Sequence, residues 1–108
     1  MKRAILTLTL AGGITGLAVA VANAGDVAVT QAGKKFSERR LTIAVGDTIT
    51  FVNDDDTTHN VHSMNDGHAF DLGAQAPGTE MSHTFDTPGQ VKVRCAIHPK
   101  MKIDVTVE

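Results

Sequence analysis

Residues 41–53 read LTIAVGDTITFVN, and this stretch indicates the class of fold. Apolar residues alternate with small or polar ones on both sides of a central Gly46-Asp47 pair. A period of two places successive side chains on opposite faces of a β-strand. Because a Gly-Asp pair is typical of a tight turn, the stretch predicts two half-buried strands joined as a hairpin. The inward positions would be Leu41, Ile43, Val45, Ile49 and Phe51.

The same alternation recurs elsewhere and predicts an all-β protein. Turn-rich segments containing Gly, Pro, Asn and Asp separate the alternating runs, which is typical of an antiparallel β-sandwich. About seven to eight short strands are expected, with no internal repeat and no second domain. The further alternating runs lie at residues 26–30, 81–85, 91–95 and 103–107.

Two segments do not follow this pattern. Residues 31–40 are polar and basic, with Phe36 as their one apolar anchor, and are predicted to form a surface connection. Residues 65–77 show no regular period, and a helical turn around residues 70–72 is the structure expected there.

The first 24 residues have the organisation of a secretory signal peptide. Lys2 and Arg3 precede an apolar run, which ends at Ala22-Asn23-Ala24, a small-residue cleavage site. Cleavage after Ala24 would leave one domain, residues 25–108, in the periplasm. The alternative is an uncleaved membrane anchor. The glycines and threonines of the run and the good cleavage site favour removal, after which no stable membrane association is expected.

Charge and cysteine content restrict the partners and the chemistry. Removing residues 1–24 leaves 8 Lys and Arg against 12 Asp and Glu, a net charge of −4, which argues against nucleic acid and anionic membranes. The chain has one cysteine, Cys95, so no internal disulfide can form. A lone thiol in an oxidising compartment is buried, paired between molecules or protected by a metal. The third explanation accounts for it best.

The segment Cys95-Ala-Ile-His98-Pro-Lys-Met101 carries the chemistry. It places a thiolate, an imidazole and a thioether within seven residues, at intervals of three. Soft sulfur and borderline nitrogen ligands suit copper, and a trigonal His₂Cys set with a long axial Met is the electron-transfer arrangement. This short motif is by itself only indicative, since a free cysteine is commonly a small buried hydrophobe.

A second imidazole is available at His59 or His62. In an extended chain the two side chains project to opposite faces, so both can hardly reach one ion. We choose His59, because Asn60 beside it can hydrogen-bond across to the cysteine loop and hold the two ligand segments together.

The other histidines and methionines receive structural assignments. His83 shares the parity of Phe85 and is expected near the core, whereas His68 lies in a polar loop and is expected at the surface. Met64 and Met81 could compete for the axial position. We treat both as packing residues, since Met fills irregular gaps.

The sequence resembles the cupredoxins, the type 1 or blue copper proteins, and among them the amicyanin, pseudoazurin and plastocyanin group. The resemblance covers nearly all of the chain after residue 24. It rests on residues 41–53, on His59-Asn-Val-His62, on Thr84-Phe-Asp-Thr-Pro-Gly89 and on Cys95 to Met101.

This resemblance implies a Greek-key sandwich that binds one type 1 copper ion through His59, Cys95, His98 and Met101. It implies a monomeric carrier of single electrons between larger redox proteins, such as a c-type cytochrome and a dehydrogenase or reductase, and not an enzyme. It also places the edge of His98 at the surface among apolar residues, with Ile97, Pro99 and Pro77 as candidates. Lys100 and Lys102 would then rim that patch.

Two other functions remain as alternatives. A periplasmic copper-binding or delivery protein would have no electron-transfer role and would favour exposed, exchangeable ligands, whereas this chain has one compact set. A structural zinc site suits Cys and His but gains nothing from Met101.

Overall fold

The computed structural model describes residues 25–108, so the predicted leader, residues 1–24, lies outside the described residues. The described chain forms nine strands in two sheets. No helix in residues 25–108 is long and apolar enough to cross a membrane. The strands are β1 Asp26–Ala32, β2 Lys35–Phe36, β3 Arg40–Ile43, β4 Thr48–Asn53, β5 His59–Ser63, β6 Phe70–Gln75, β7 Glu80–Thr84, β8 Gly89–Arg94 and β9 Lys102–Val107.

The two sheets are mixed. The first has the order β2-β1-β4-β7, and its β1–β4 pair is parallel. The second has the order β3-β9-β8-β5-β6, and its β3–β9 pair is parallel. The predicted β-sandwich is confirmed, and the repeated crossing of the chain between sheets is the Greek-key kind of connection. The prediction of wholly antiparallel sheets does not hold for these two pairs.

Alternate side chains of both sheets form one apolar core. Each fully buried Val, Ile or Phe contributes about 1.5–3 kcal/mol, and this burial replaces the disulfides that many small secreted domains use. As predicted, Val91 and Val93 of β8 and Cys95, which directly follows that strand, are all buried. The buried apolar residues are Val29, Phe36, Ile43, Ile49, Phe51, Val61, Phe85, Val91, Val93, Cys95, Met101, Ile103, Val105 and Val107.

The predicted hairpin around Gly46-Asp47 is wrong. The turn forms, with Gly46 at a φ of 93°, but it carries the chain from one sheet to the other. β3 pairs with β9, whereas β4 lies between β1 and β7. The period-two pattern identifies buried faces, but it does not identify the strand that pairs with each edge.

Two other local predictions are also wrong. Within the supposed surface connection 31–40, β2 folds back on β1, and the buried Phe36 packs edge-on against Phe51 at a centroid distance of 6.1 Å. The residues expected to form a helical turn belong instead to β6, which pairs with β5. Pairing with a neighbouring strand satisfies the backbone of β6, so tertiary context outweighs its weak local preference.

The strand directions separate the loops into two ends. Residues 54–58 and 95–101 meet at one end, which we call the ligand end because it carries the predicted ligands. Residues 25, 44–47, 64–69 and 85–88 meet at the other, which we call the opposite end.

Candidate metal centre

Three predicted ligand side chains converge at the ligand end. Their donor atoms are His59 Nδ1, Cys95 Sγ and His98 Nδ1, all within 4.8 Å of one another. The two nitrogens are 3.1 Å apart, and they lie 4.0 and 3.8 Å from the sulfur. His59 begins β5, and Cys95 directly follows β8, so two adjacent strands supply the first two donors.

The donor atoms fit a single soft or borderline cation. Atoms that share an ion at about 2.0–2.3 Å lie roughly 3–4 Å from one another, which is the separation found here. Two unprotonated imidazole nitrogens at 3.1 Å would repel each other unless a proton or a cation lay between them. A thiol and two imidazoles are moreover the donor set that suits copper.

Asp55 fixes the orientation of the first imidazole. Its Oδ2 accepts a hydrogen bond of 2.9 Å from His59 Nε2, so the proton is on Nε2 and Nδ1 is free to bind a metal. The backbone N–H of Lys34, followed by the His59 ring and the backbone N–H of Asp56, holds the pKa of the Asp55 carboxyl well below its usual range. Asp55 therefore stays an anion and an acceptor. The sequence analysis did not identify this residue.

Asn60 links the two ligand segments, as predicted. Its side-chain Oδ1 accepts a hydrogen bond of 3.1 Å from the Ala96 backbone N–H, and its own backbone N–H points at Cys95 Sγ at 3.3 Å. Asn60 Nδ2 donates to Asp71 Oδ1 at 2.8 Å and to Gly73 O at 3.1 Å. Hydrogen bonds thus hold the Asn60 side chain through both its oxygen and its nitrogen. A thiolate at Cys95 would accept a hydrogen bond from the Asn60 backbone N–H.

The loop from Cys95 to Met101 closes on itself. The Met101 N–H donates to the His98 carbonyl at 2.9 Å, and the Cys95 N–H donates to the Met101 carbonyl at 3.3 Å. Met101 is 1% exposed, and Cys95 is 2% exposed. His98 is half-buried and is the more accessible of the two imidazoles, because His59 is fully buried.

Buried carboxamides shape the loop that carries Asp55. Asn53 donates through Nδ2 to the carbonyls of Thr57 and Gln75, both at 2.9 Å, and its Oδ1 accepts from the Asp55 N–H at 3.0 Å. Gln75 in turn accepts from Gln31 at 2.8 Å. These bonds determine which of the three consecutive aspartates faces His59.

The remaining histidines do not belong to the group of three donor residues. His62 donates through Nδ1 to Asn60 Oδ1 at 2.9 Å and is not grouped with the three donors, in agreement with the prediction. His83 stacks on Phe70 with a centroid distance of 3.8 Å and meets Phe85 edge-on at 4.7 Å, which confirms its place near the core. His68 is half-buried rather than fully at the surface, and it lines a cavity of about 190 Å³ with His83 at the opposite end.

The cation next to the cysteine in sequence faces away from the site. Arg94 donates to Asp104 Oδ1 at 3.2 Å on the outer surface of the sheet. Successive side chains of a strand alternate in direction, so Arg94 points outward where Cys95 points inward. Of the two other methionines considered, Met64 is 83% exposed and Met81 is half-buried on β7.

Comparison with known proteins agrees with this geometry. Residues 23–108 match the family described as "Copper binding proteins, plastocyanin/azurin family". The chain is 36% identical over 107 residues to methylamine utilization protein MauL of Methylorubrum extorquens, which covers 96% of this chain and 93% of the relative. It is 33% identical over 95 residues to amicyanin-alpha of the same organism, covering 84% of this chain and 79% of the relative.

A solved structure shares the architecture. The Cu(I) form of an amicyanin mutant superposes with a TM-score of 0.72 at 30% identity, and it covers 80% of this chain and 85% of that one. The chain is therefore a cupredoxin, a member of the plastocyanin/azurin family of copper-binding proteins, and its cofactor is type 1 copper.

Proposed function

We propose that the protein carries single electrons between larger redox proteins in the periplasm, with copper held by His59, Cys95, His98 and Met101. The observation that supports this proposal is the convergence of a thiol and two imidazoles with separations of 3.1–4.0 Å. Bound copper supplies a one-electron Cu(I)/Cu(II) couple. The chain's own residues hold the donors in place and keep water away from them.

The donors are held so that they move little when the charge at the site changes. β5 and β8 carry His59 and Cys95, and the Asn60 side chain ties the second segment to the first. The loop that carries His98 and Met101 is closed by its own backbone hydrogen bonds. A site that need not rearrange exchanges electrons with a low barrier, and this is the requirement for a carrier.

Burial favours a carrier over an enzyme. His59 is 0% exposed, Cys95 is 2% and Met101 is 1%. Catalytic metal sites keep one position open for water or substrate, whereas the side chains of His59 and Cys95 are enclosed in the protein interior, which supports a carrier.

The surface around His98 is the proposed docking site for redox partners. His98 is half-buried, and Ile97 beside it is 50% exposed. Pro77 and Pro99 are also exposed, and Lys100 and Lys102 provide positive charge near the loop. An apolar centre with a basic rim fits a partner with an acidic rim and makes the association rate depend on salt.

The relatives support the class of partner. One is named for methylamine utilization, and another is an amicyanin. We therefore propose a dehydrogenase or reductase on one side of the transfer and a c-type cytochrome on the other. The predicted leader in residues 1–24 supports the periplasmic location, and the burial of Cys95 argues against a disulfide between two copies of the chain.

Copper loading combined with voltammetry tests the proposal. Adding one equivalent of Cu(II) to the purified apoprotein should give an intense visible thiolate-to-copper absorption band, followed by reversible one-electron voltammetry. A copper delivery protein would instead show irreversible voltammetry and would pass its metal to a chelator within minutes. A colourless Cu(II) complex would exclude the proposed ligand set.

Charge reversal tests the docking surface. Lys100→Glu should slow electron exchange with a c-type cytochrome at low salt, because it removes favourable attraction from the rim. Lys92→Glu is the matched control, since Lys92 is exposed on the strand β8 and makes the same change in net charge. Equal rates for the two variants would contradict docking at His98.

A further inference from the structure

Asp47 is a buried carboxylate at the opposite end of the sandwich, far along the sheet from the donor atoms. Its side chain bridges two chain segments. Oδ1 accepts a hydrogen bond from the Gly25 backbone N–H at 2.8 Å, and Oδ2 accepts one from the Ala44 N–H at 2.9 Å. Asp47 is 7% exposed. Its backbone carbonyl also accepts from the Phe85 N–H at 2.9 Å.

Asp47 has no cationic side chain as a partner among the described residues. The ion pairs of residues 25–108 join Asp55 to His59 and Arg94 to Asp104. Removing a carboxylate from water costs several kcal/mol unless an opposite charge and hydrogen bonds compensate. Two backbone amides supply the hydrogen bonds, and the opposite charge is missing.

The atom next to Asp47 Oδ1 is the nitrogen of the residue that follows the predicted cleavage site. Hydrolysis of the Ala24–Gly25 peptide bond by signal peptidase adds one water, giving a carboxylate on Ala24 and an ammonium group on Gly25. The Gly25 nitrogen would then carry a positive charge where the amide N–H stands now. Charge-assisted hydrogen bonds are about twice as strong as neutral ones.

Gly25 packs closely against the Asp47 carboxylate. A Cβ built on Gly25 would lie 3.4 Å from Asp47 Oδ1 and 3.6 Å from its Cγ, which is van der Waals contact. The backbone of Gly25 is also anchored, because its carbonyl accepts from the Thr48 N–H at 2.9 Å. The nitrogen is therefore fixed in place next to the acceptor.

We propose that Asp47 is the binding site for the new amino terminus, and that cleavage between Ala24 and Gly25 completes the fold through a Gly25 ammonium–Asp47 ion pair. The mature domain is then more stable than a chain that carries even one residue more at its amino terminus. The inference rests on the predicted leader and not on the copper site. The visible copper absorption of all variants below should be unchanged, so failure here would leave the proposed function intact.

The first test is the mass of the secreted protein. The full-length chain is expressed with its own leader, and the amino terminus of the periplasmic product is identified by mass spectrometry. A chain that begins at Gly25 is expected. A chain that begins at any other residue would overturn the proposal.

The second test compares copper-loaded proteins that begin at Gly25 or at Ala24, each released from a fusion by a protease that leaves no residue behind. The two forms have the same net charge, but the ammonium of the longer form is displaced by one residue. The Gly25 form should melt roughly 4–8 °C higher, the shift that a stability difference of about 1 kcal/mol produces in a domain of this size. Equal melting temperatures would overturn the proposal.

A double-mutant cycle assigns the difference to Asp47. In Asp47→Asn the two forms should melt within about one degree of each other, because an uncharged amide has no preference for the ammonium. An unchanged difference would overturn the assignment. If Asp47→Asn does not fold, acylation of the amino terminus at pH 7 replaces the cycle. The Gly25 amine should react several-fold more slowly than the Ala24 amine, and equal rates would count against the pair.

Discussion

The two ends of the sandwich each carry a pair of half-buried or buried histidines, and they use them differently. At the ligand end, Nδ1 atoms of His59 and His98 face each other at 3.1 Å beside a thiol. At the opposite end, His83 lies flat on Phe70 at 3.8 Å, and His68 lines the same small cavity. The residue type is the same in both places, but only the first pair directs its nitrogen donors to one point.

The difference comes from what holds each ring. The Asp55 carboxylate accepts from Nε2 of His59, which turns Nδ1 inward. His83 is held by aromatic faces, which fix the plane of the ring but supply neither a proton acceptor nor a charge. A polar group that hydrogen-bonds the far side of the imidazole ring, as Asp55 does for His59, therefore distinguishes the metal site from the aromatic cluster. The predictions below test this difference, beginning with the largest expected effect.

Replacing the sulfur should remove the site altogether. In Cys95→Ser we expect no visible absorption after addition of Cu(II) and no copper-dependent rise in melting temperature, because a hydroxyl is a poor ligand for copper beside two imidazoles. The measurement is a copper titration followed by absorption and thermal melting. The control is His68→Ala at the opposite end, which should bind one equivalent with unchanged colour. Retention of the band in Cys95→Ser would contradict the assignment.

Removing the charge behind His59 should weaken the site without abolishing it. In Asp55→Asn the side chain no longer offers an anion to Nε2, so the ring loses its fixed orientation. Loss of such an outer contact typically lowers metal affinity about 10–100-fold. Competition with a chelator measures the affinity. Asp56→Asn removes the same charge from the exposed neighbouring position and should bind copper almost normally. Equal affinities for the two variants would show that Asp55 has no orienting role.

Cutting the link between the ligand segments should destabilise the fold itself. Asn60→Ala leaves the Ala96 N–H without its acceptor and removes one of the two donors to Asp71 Oδ1, the other being the Gly73 N–H. Each hydrogen bond lost from the Asn60 side chain is worth about 0.5–1.5 kcal/mol net, so we expect a total loss of roughly 2 kcal/mol in the free energy of unfolding. Denaturant unfolding of the apoprotein measures it. His62→Ala, which removes another partner of the same amide but leaves the cross-link in place, should lose less. A larger loss in His62→Ala would contradict the role of Asn60.

The sequence alone predicts the ligand end better than it predicts the strand pairing. The three-residue intervals from Cys95 to Met101 can be read directly from the sequence. The opposite directions of His59 and His62 follow from the geometry of an extended chain. The cross-link by Asn60 could be anticipated because a side-chain amide next to a ligand has few other partners. The parallel β3–β9 pair and the placement of β3 and β4 in different sheets depend on contacts between residues distant in sequence, which a period-two pattern does not encode.

Asp55 shows why one element of the site could not be found in the same way. It is the middle member of three consecutive aspartates in a loop, and nothing in their order distinguishes it. The choice is made by the buried side chain of Asn53, whose Oδ1 accepts from the Asp55 N–H. An Asp four residues before a candidate ligand histidine is nevertheless a signal that could be searched for. The strand β6 was missed for a related reason, since Gly73, at a φ of 78°, accompanies a register shift with β5.

The smallest effect is expected at the aromatic cluster of the opposite end. Burial lowers the pKa of His83 from its usual value near 6.5, while Asp86 opposes that shift. The unfolded chain therefore binds more protons than the folded one as the pH falls below the unfolded pKa, and stability is lost in that direction until the folded ring is protonated as well.

We expect the melting temperature of the copper-loaded protein to fall by a few degrees at most between pH 7 and pH 5 on account of His83, because the ring is partly exposed. His83→Phe keeps a ring against Phe70 but removes the titrating group, so this part of the pH dependence should disappear. His68→Gln, a change in the same cavity, should retain it. If His68→Gln removes this pH dependence of the melting temperature and His83→Phe does not, the assignment to His83 is contradicted.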